Sequence, residues 1–169
     1  MSFFITTPIY YVNDVPHIGH AYTTIACDIF SRFNKLKRED TFFLTGTDEH
    51  GQKVEKAALV QKKDTQVFVD EMSQNFRELV PFLGCDNDDF IRTTDDKHKS
   101  AAQFLWNKLK SNNQIYLSNY EGWYSIRDEA FYQESELTKV ENGFVAPSGA
   151  PVEWVKEESY FFKLSEWEN

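Results

Sequence analysis

Apolar and polar positions along the 169 residues fall into two regimes. In the first, short β-branched or aromatic runs alternate with stretches whose apolar residues recur every three or four positions, the mark of strands followed by helices. Phe3-Phe4-Ile5-Thr6-Thr7 reads as a buried strand. A short segment with Pro8, Asn13, Asp14 and Pro16 follows, and then Ile18, Tyr22, Ile25, Ala26, Ile29, Phe33 and Leu36 recur as one buried helix face. Thr41-Phe42-Phe43-Leu44-Thr45 reads as a second buried strand. Strand, helix and strand make a βαβ unit with a parallel pair and a right-handed crossover.

The next helix runs to about Lys62. Another opens at Asp64-Thr65, carries Phe68, Met72, Phe76 and Leu79 on one face, and ends near Gly84 with Pro81 in its last turn. Asp89-Phe90-Ile91-Arg92-Thr93 is a candidate third strand. Thr94-Asp95-Asp96 would cap a helix reaching about Lys110, with Ala101, Leu105 and Leu109 inside.

The second regime runs from Ile115 to Phe162. It is rich in aromatic and β-branched residues, with turn signals at Asn142-Gly143 and Ser148-Gly149. This predicts an inserted antiparallel sheet or knuckle. Ser159-Tyr160-Phe161-Phe162 reads as the chain returning towards the main core, and Glu166-Trp167-Glu168-Asn169 stops without a closing element, as a cut chain would.

Composition narrows the class. A hydrophobic fraction of 41% and an aromatic fraction of 16% fit a packed globular chain. No apolar run approaches the ~18–20 residues that span a bilayer, and no basic segment leads into an apolar one at the N-terminus. Cys27 and Cys85 belong to no CxxC pair and read as reduced thiols, so a soluble cytoplasmic protein without a membrane partner is expected. The net charge of −9 weighs against a large nucleic-acid surface within these residues. Lys35-Leu36-Lys37-Arg38 reads first as complementing a helix dipole.

Candidate chemistry concentrates at Pro16-His17-Ile18-Gly19-His20. It lies where a strand passes through a loop into a helix, and the unpaired N–H groups of a helix N-terminus favour an anion. Two imidazoles three positions apart lie about one turn from each other, and Gly19 puts no side chain in the way of a close ligand. The arrangement suits stabilising charge on a phosphate under attack. Either histidine alone would read as a cap or a surface residue. Gly46-Thr47-Asp48-Glu49-His50-Gly51 falls at the same strand-end edge, where ligands bind in parallel sheets, so both loops should face one crevice.

Three blocks together carry a resemblance: Thr7-Pro8-Ile9-Tyr10-Tyr11-Val12-Asn13 leading into Pro16–His20, then Phe43-Leu44-Thr45-Gly46-Thr47-Asp48-Glu49-His50-Gly51, then Asp89-Phe90-Ile91-Arg92-Thr93-Thr94. The chain resembles the methionyl-tRNA synthetase family of class I aminoacyl-tRNA synthetases, in its bacterial or organellar form. Tyr120-Glu121-Gly122-Trp123-Tyr124 and Lys156-Glu157-Glu158-Ser159-Tyr160-Phe161-Phe162 extend the likeness over essentially all 169 residues.

The resemblance implies an α/β fold: the first half of a Rossmann-type nucleotide-binding domain with a parallel sheet, plus a small, mostly β connective insert. Residues 1–114 would be the first half, 115–163 the insert, and 164–169 a truncated return to the core. The family activates methionine with ATP-Mg²⁺ to methionyl-adenylate, then passes the methionyl group to tRNA(Met). By that likeness His17 and His20 are catalytic, and His17, Gly19 and His20 bind ATP. Asp48 would hold the methionine ammonium, while Ile9 and Tyr11 line the side-chain pocket. Glu49 and His50 take a supporting role. Without the family match, Asp48 would read as a helix cap and Tyr11 as core packing.

Two departures from the family pattern follow. Where some members carry a CxxC and CxxH zinc knuckle, this chain has Ser125-Ile126-Arg127-Asp128 and Ala146-Pro147-Ser148-Gly149, so no metal is expected there. The KMSKS signature, the remaining C-terminal half of the catalytic domain and the anticodon-binding domain are absent from these residues. The isolated chain is therefore expected to be inactive alone, with an apolar edge and face of its sheet uncovered. Two alternatives are a small HxGH-type nucleotidyltransferase and a non-catalytic fragment that binds methionine or another protein.

Overall fold

A computed structural model describes residues 2–140 and 143–168. Asn142, half of one predicted turn, and Asn169, the end of the chain, lie outside the described residues. The chain forms two compact units, Met1–Gln103 and Phe104–Asn169.

The first unit is built on a parallel sheet. Strands β1 (Ser2–Thr6), β2 (Tyr10–Tyr11) and β4 (Asp89–Arg92) all pair in parallel with β3 (Asp40–Asp48). Leu44 is in register with both Thr6 and Asp89, and Thr47 with both Tyr10 and Arg92. β1 and β2 are therefore two stretches of one edge, with β4 on the other. The short β2 was not separately visible in sequence, because Pro8 interrupts the run that contains it.

Helix α1 (Ile18–Leu36) joins β1–β2 to β3, and α2 (Gln52–Val60) and α3 (Thr65–Phe82) join β3 to β4. Asp64 caps α3, its carboxylate accepting the N–H groups of Gln66 and Val67 at 2.9 and 3.2 Å. The core gathers Tyr10, Val12, Val54, Ala58, Phe68, Val69, Phe76 and Phe90, with Met72 packed against it. Pro81 lies inside α3, which continues to Phe82 before Gly84 turns the chain at a φ of 67°.

The predicted packing of α1 is corrected. Its buried residues are Thr24, Cys27, Asp28, Ser31 and Asn34. The apolar stripe faces out instead: Ile18 is 88% exposed, Tyr22 77% and Leu36 84%. Hydrogen bonds explain the choice. The Tyr10 hydroxyl and Thr24 Oγ1 lie 3.0 Å apart, Asp28 accepts the N–H of Asp86 at 2.8 Å, and Asn34 donates to the carbonyl of Phe30 at 2.8 Å. Small side chains, most of the polar ones hydrogen-bonded and Ser31 Oγ the unpaired exception, let the helix lie close against β1 and β3. Periodicity marks an apolar stripe but does not say what covers it.

The sheet is similarly one-sided. Thr7 and Thr45 bond across 2.7 Å, and Thr47 bonds Ser73 of α3 at 3.0 Å, all four buried on the face that the helices cover. On the opposite face Phe4 and Phe42, partners in register, stack at 6.0 Å and stay 61% and 44% exposed.

Gly46 sets the contact between β3 and β4. A Cβ there would lie 2.0 Å from the carbonyl oxygen of Ile91, so only glycine permits the pairing.

Helix α4 (Asp96–Ser111) runs through the boundary between the units. Its predicted inner face is also corrected: Leu105 is 56% exposed and Ala101 is exposed, while Leu109 is half-buried. The fraction of apolar residues on α4 is low, and no residue of it is fully buried.

The second unit is the expected antiparallel insert. β5 (Ile115–Ser125) pairs with β9 (Glu153–Phe162) from Ile115↔Phe162 to Tyr124↔Glu153, and with β6 (Ala130–Tyr132). β7 (Thr138–Val140) and β8 (Gly143–Val145) form a hairpin. Asp128 joins the two turns at the knuckle positions. It accepts hydrogen bonds from Ser148 Oγ and, at 3.1 Å, from the Tyr132 hydroxyl, while its N–H donates to buried Ser125 Oγ at 3.2 Å. Residues Leu164–Trp167 form a 3₁₀ turn held to Gln114, which accepts from Trp167 Nε1 at 2.8 Å.

Candidate active site

The start of α1 is held by a reciprocal cap made of two imidazoles. His17 is the N-cap, with extended backbone, and its Nδ1 accepts the N–H of Gly19 at 3.1 Å. Nδ1 of His20 accepts the N–H of His17, also at 3.1 Å. A backbone N–H can only donate, so each Nδ1 carries no proton and each neutral ring bears its proton on Nε2. The cap thus selects one tautomer for both rings.

This refines the predicted anion site. Gly19 N–H is taken by the His17 ring and His20 N–H by the His17 carbonyl at 3.0 Å, so two of the first-turn backbone donors are used internally. The two Nε2–H groups add side-chain donors beside the one first-turn N–H, that of Ile18, that this network does not engage. Gly19 has a structural reason as well: a Cβ there would lie 2.9 Å from Cε1 of His17 and displace the ring from its cap.

His20 is braced from below. Its ring meets Tyr10 edge-on at 4.7 Å and Phe76 at 5.1 Å, while Tyr10 and Phe76 stack at 5.6 Å. Burial, and then the neighbouring His17, push the His20 pKa below its ordinary value, which keeps the ring neutral. Burial raises the Tyr10 phenol, although its hydrogen bonds to Thr24 and Thr7 oppose that rise. Tyr10, Thr24 and Phe76 were not singled out as site residues in sequence. Alternation along residues 10–12 was the available signal, since Tyr10 and Val12 are buried and Tyr11 is 45% exposed.

Ile9, Tyr11, His17 and His20 line one cavity of about 480 Å³, together with Asn13 and Asp14. Asp48 is not among its lining residues, but it pairs in register with Tyr11, so the two side chains share one side of the sheet. Asp48 is no helix cap: Gly51 is the N-cap of α2. The exposure of Tyr11 likewise sets aside a core role. Gly19 lies in the turn beneath the two rings.

Behind Asp48, Glu49 is 2% exposed and fully engaged. Arg92 grips it with two bonds, Nε to Oε1 at 2.7 Å and Nη2 to Oε2 at 2.9 Å. Thr47 donates to Oε1 at 2.7 Å and Thr94 to Oε2. Burial alone would raise the Glu49 carboxyl, but Arg92 and the two threonines outweigh it and hold the pKa below the ordinary value. The Glu49 bonds hold the Arg92 guanidinium firmly charged, and Arg92 also bonds Asp70 at 2.5 Å. The backbone follows the same line: Glu49 N–H donates to Thr93 Oγ1 at 2.9 Å, and His50 Nε2 lies 3.3 Å from the Thr93 carbonyl. Sequence gave Glu49 a supporting role and Arg92 none, because their 43-residue separation hides the pair.

Among the described residues, no three His, Cys, Asp or Glu side chains converge as a metal site, and no helix is long and apolar enough to cross a membrane.

The chain is similar to known proteins along nearly its whole length. Residues 3–169 match the family model described as tRNA synthetases class I (M). The methionine–tRNA ligase of Rickettsia prowazekii is 59% identical over 168 residues, covering 99% of this chain and 32% of the relative. That of Listeria monocytogenes is 50% identical, covering 98% of this chain and 26% of the relative. A solved Mycobacterium tuberculosis methionyl-tRNA synthetase in complex with methionyl-adenylate superposes with a TM-score of 0.89 at 44% identity, over 98% of this chain and 33% of that one. The chain spans between about a quarter and a third of the length of these relatives. The expected fold class holds, with a parallel α/β half and an antiparallel β portion. The nucleotidyltransferase alternative finds no support. Matched over nearly its whole length, this chain belongs to the class I tRNA synthetases of the (M) family.

Proposed function

We propose that these residues form the ATP- and methionine-facing portion of a methionine–tRNA ligase. The observation that carries this reading is the reciprocal His17–His20 cap, which leaves two neutral Nε2–H donors at one mouth of a cavity walled by Ile9 and Tyr11. The methionine carboxylate attacks the α-phosphorus of ATP, forming the acyl–phosphate bond as the bond to pyrophosphate breaks. Negative charge grows on the equatorial oxygens, and His17 and His20 donate to them; Gly19 keeps the His17 ring in place. Such donors stabilise developing charge without a protein nucleophile. Asp48 binds the methionine ammonium, and Ile9 and Tyr11 take the thioether side chain. ATP arrives with Mg²⁺.

In the whole protein the methionyl group passes to tRNA(Met) in the cytoplasm. Residues 1–114 serve as the first half of the nucleotide-binding domain, 115–163 as its connective insert and 164–169 as the return to the core. The Asp128 cluster supports an insert that folds without zinc. The uncovered face of the sheet and the outward stripe of α1 support a catalytic half completed by further chain.

The test is methionine-dependent ATP–pyrophosphate exchange, run on the full-length polypeptide and on residues 1–169. Exchange by the longer chain and none by the shorter is expected. Absence of methionine-dependent exchange in the full-length protein would overturn the reading.

A further inference from the structure

Residues 48 and 49 are consecutive carboxylates at the end of β3, and in a strand consecutive side chains take opposite faces. Only one of them can face a ligand, and a slip of one residue would exchange them. Glu49 lies on the covered face: its Oε1 accepts from Thr47, which is bonded to Ser73 of α3. Asp48 lies on the opposite face, in register with Tyr11.

A buried carboxylate needs a reason to be there, because an apolar residue of similar size is often as stabilising as a buried ion pair. Glu49 takes four side-chain hydrogen bonds from three residues, two of them the parallel fork of Arg92. That fork fits Glu49 alone. Asp48, one carbon shorter and on the other face, cannot reach it. Thr93 closes the arrangement from the backbone side, through Glu49 N–H and the His50 ring.

Resting on the proposed ligase function, we infer that Glu49 and Arg92 are positioning residues that fix which of two adjacent carboxylates meets the methionine ammonium. Arg92 claims Glu49, and that grip leaves Asp48 facing the amino acid at a fixed height beside Tyr11. Neither Glu49 nor Arg92 touches the substrate.

The experiment uses the full-length enzyme with Glu49→Gln, Arg92→Lys and Asp48→Asn, each assayed by ATP–pyrophosphate exchange and by thermal melting. Glu49→Gln keeps the side-chain shape but cannot accept both prongs of Arg92. It should raise KM for methionine by about tenfold, with KM for ATP within about twofold of the parent. Arg92→Lys retains the charge without the fork, and should show the same selective rise in KM for methionine to a smaller degree. A lowered melting temperature with both KM values unchanged, or both KM values rising together, would reduce the pair to a structural role and overturn the inference. If Arg92→Lys fails to fold, Glu49→Gln alone decides. An inactive parent enzyme would instead indict the functional reading, and a parent that Asp48→Asn leaves unaffected in KM for methionine would overturn the inference by removing the residue to be positioned.

Discussion

His17 and His20 hold one another at the first turn of α1. The N–H of His17 donates to Nδ1 of His20 at 3.1 Å, and the two rings lie with centroids 3.9 Å apart. Each ring thereby has one nitrogen committed to the backbone and one free to donate.

Replacing either ring should remove both a cap and a donor. In the full-length protein, His17→Ala and His20→Ala should each lower kcat for adenylate formation by about 10²–10³. KM for methionine should change little. Single-turnover measurement with a pyrophosphate readout separates the chemical step from product release. Gly19→Ala should reproduce part of the loss without removing either histidine, since its Cβ would meet the His17 ring at 2.9 Å.

Gly46 tests the sheet rather than the site. Gly46→Ala would place a Cβ 2.0 Å from a backbone oxygen of β4, which no side-chain rotation relieves. The strands must part, at a cost of roughly 3 kcal/mol or more by the usual scale of overpacking. Thermal melting of the full-length variant should show a large fall; an unchanged midpoint would mean that β3 and β4 are not paired at this position.

The pH dependence has two components with one sign. His20 titrates below its ordinary 6.5 in the fold, so the folded state binds fewer protons than the unfolded state between the two values. Its contribution to stability is complete above pH 6.5 and declines as pH falls from there towards the folded value. Glu49 and Asp70 also titrate below their ordinary values, 4.5 and 3.8, so their share is present above those values and is lost as pH falls through the folded pKa values. Stability should therefore decline in two stages on acidification. Denaturation midpoints across pH 3–8 check this, and Glu49→Gln should weaken the lower stage while sparing the upper one.

The outward stripe of α1 predicts the behaviour of residues 1–169 in isolation. With Phe33 57% and Leu36 84% exposed, and Phe4 exposed on the sheet, the chain should self-associate and bind a hydrophobic dye. Phe33→Glu with Leu36→Lys should lessen both, as light scattering and dye fluorescence would report. A monomeric, dye-silent parent chain would contradict the packing described.

Much of the fold could be read in sequence because the cues were local. The βαβ order, the Asp64 cap and the change to an antiparallel insert after Ile115 each depend on neighbours along the chain. Errors came where a pattern had two physical solutions. The apolar stripe of α1 was a true stripe, but the face against the sheet is made of Thr24, Asp28 and Asn34, whose burial is permitted only by partners such as Tyr10 and Asp86. The site divides in the same way. The His17–His20 spacing was visible, whereas Tyr10 beneath His20 and Arg92 on Glu49 are fixed by pairings that link distant parts of the chain.

That helix leaves few of its positions indifferent. Five of its 19 residues are buried, Thr24, Asp28 and Asn34 among them with hydrogen-bond partners, and its first turn is fixed by two rings. The apolar stripe on the far side constrains most of what remains. As descendants diverge, substitutions should accumulate more slowly along α1 than along α4, where no residue is fully buried. The pace of change along the chain would then follow the number of surfaces that each helix must satisfy, and not its hydrophobicity.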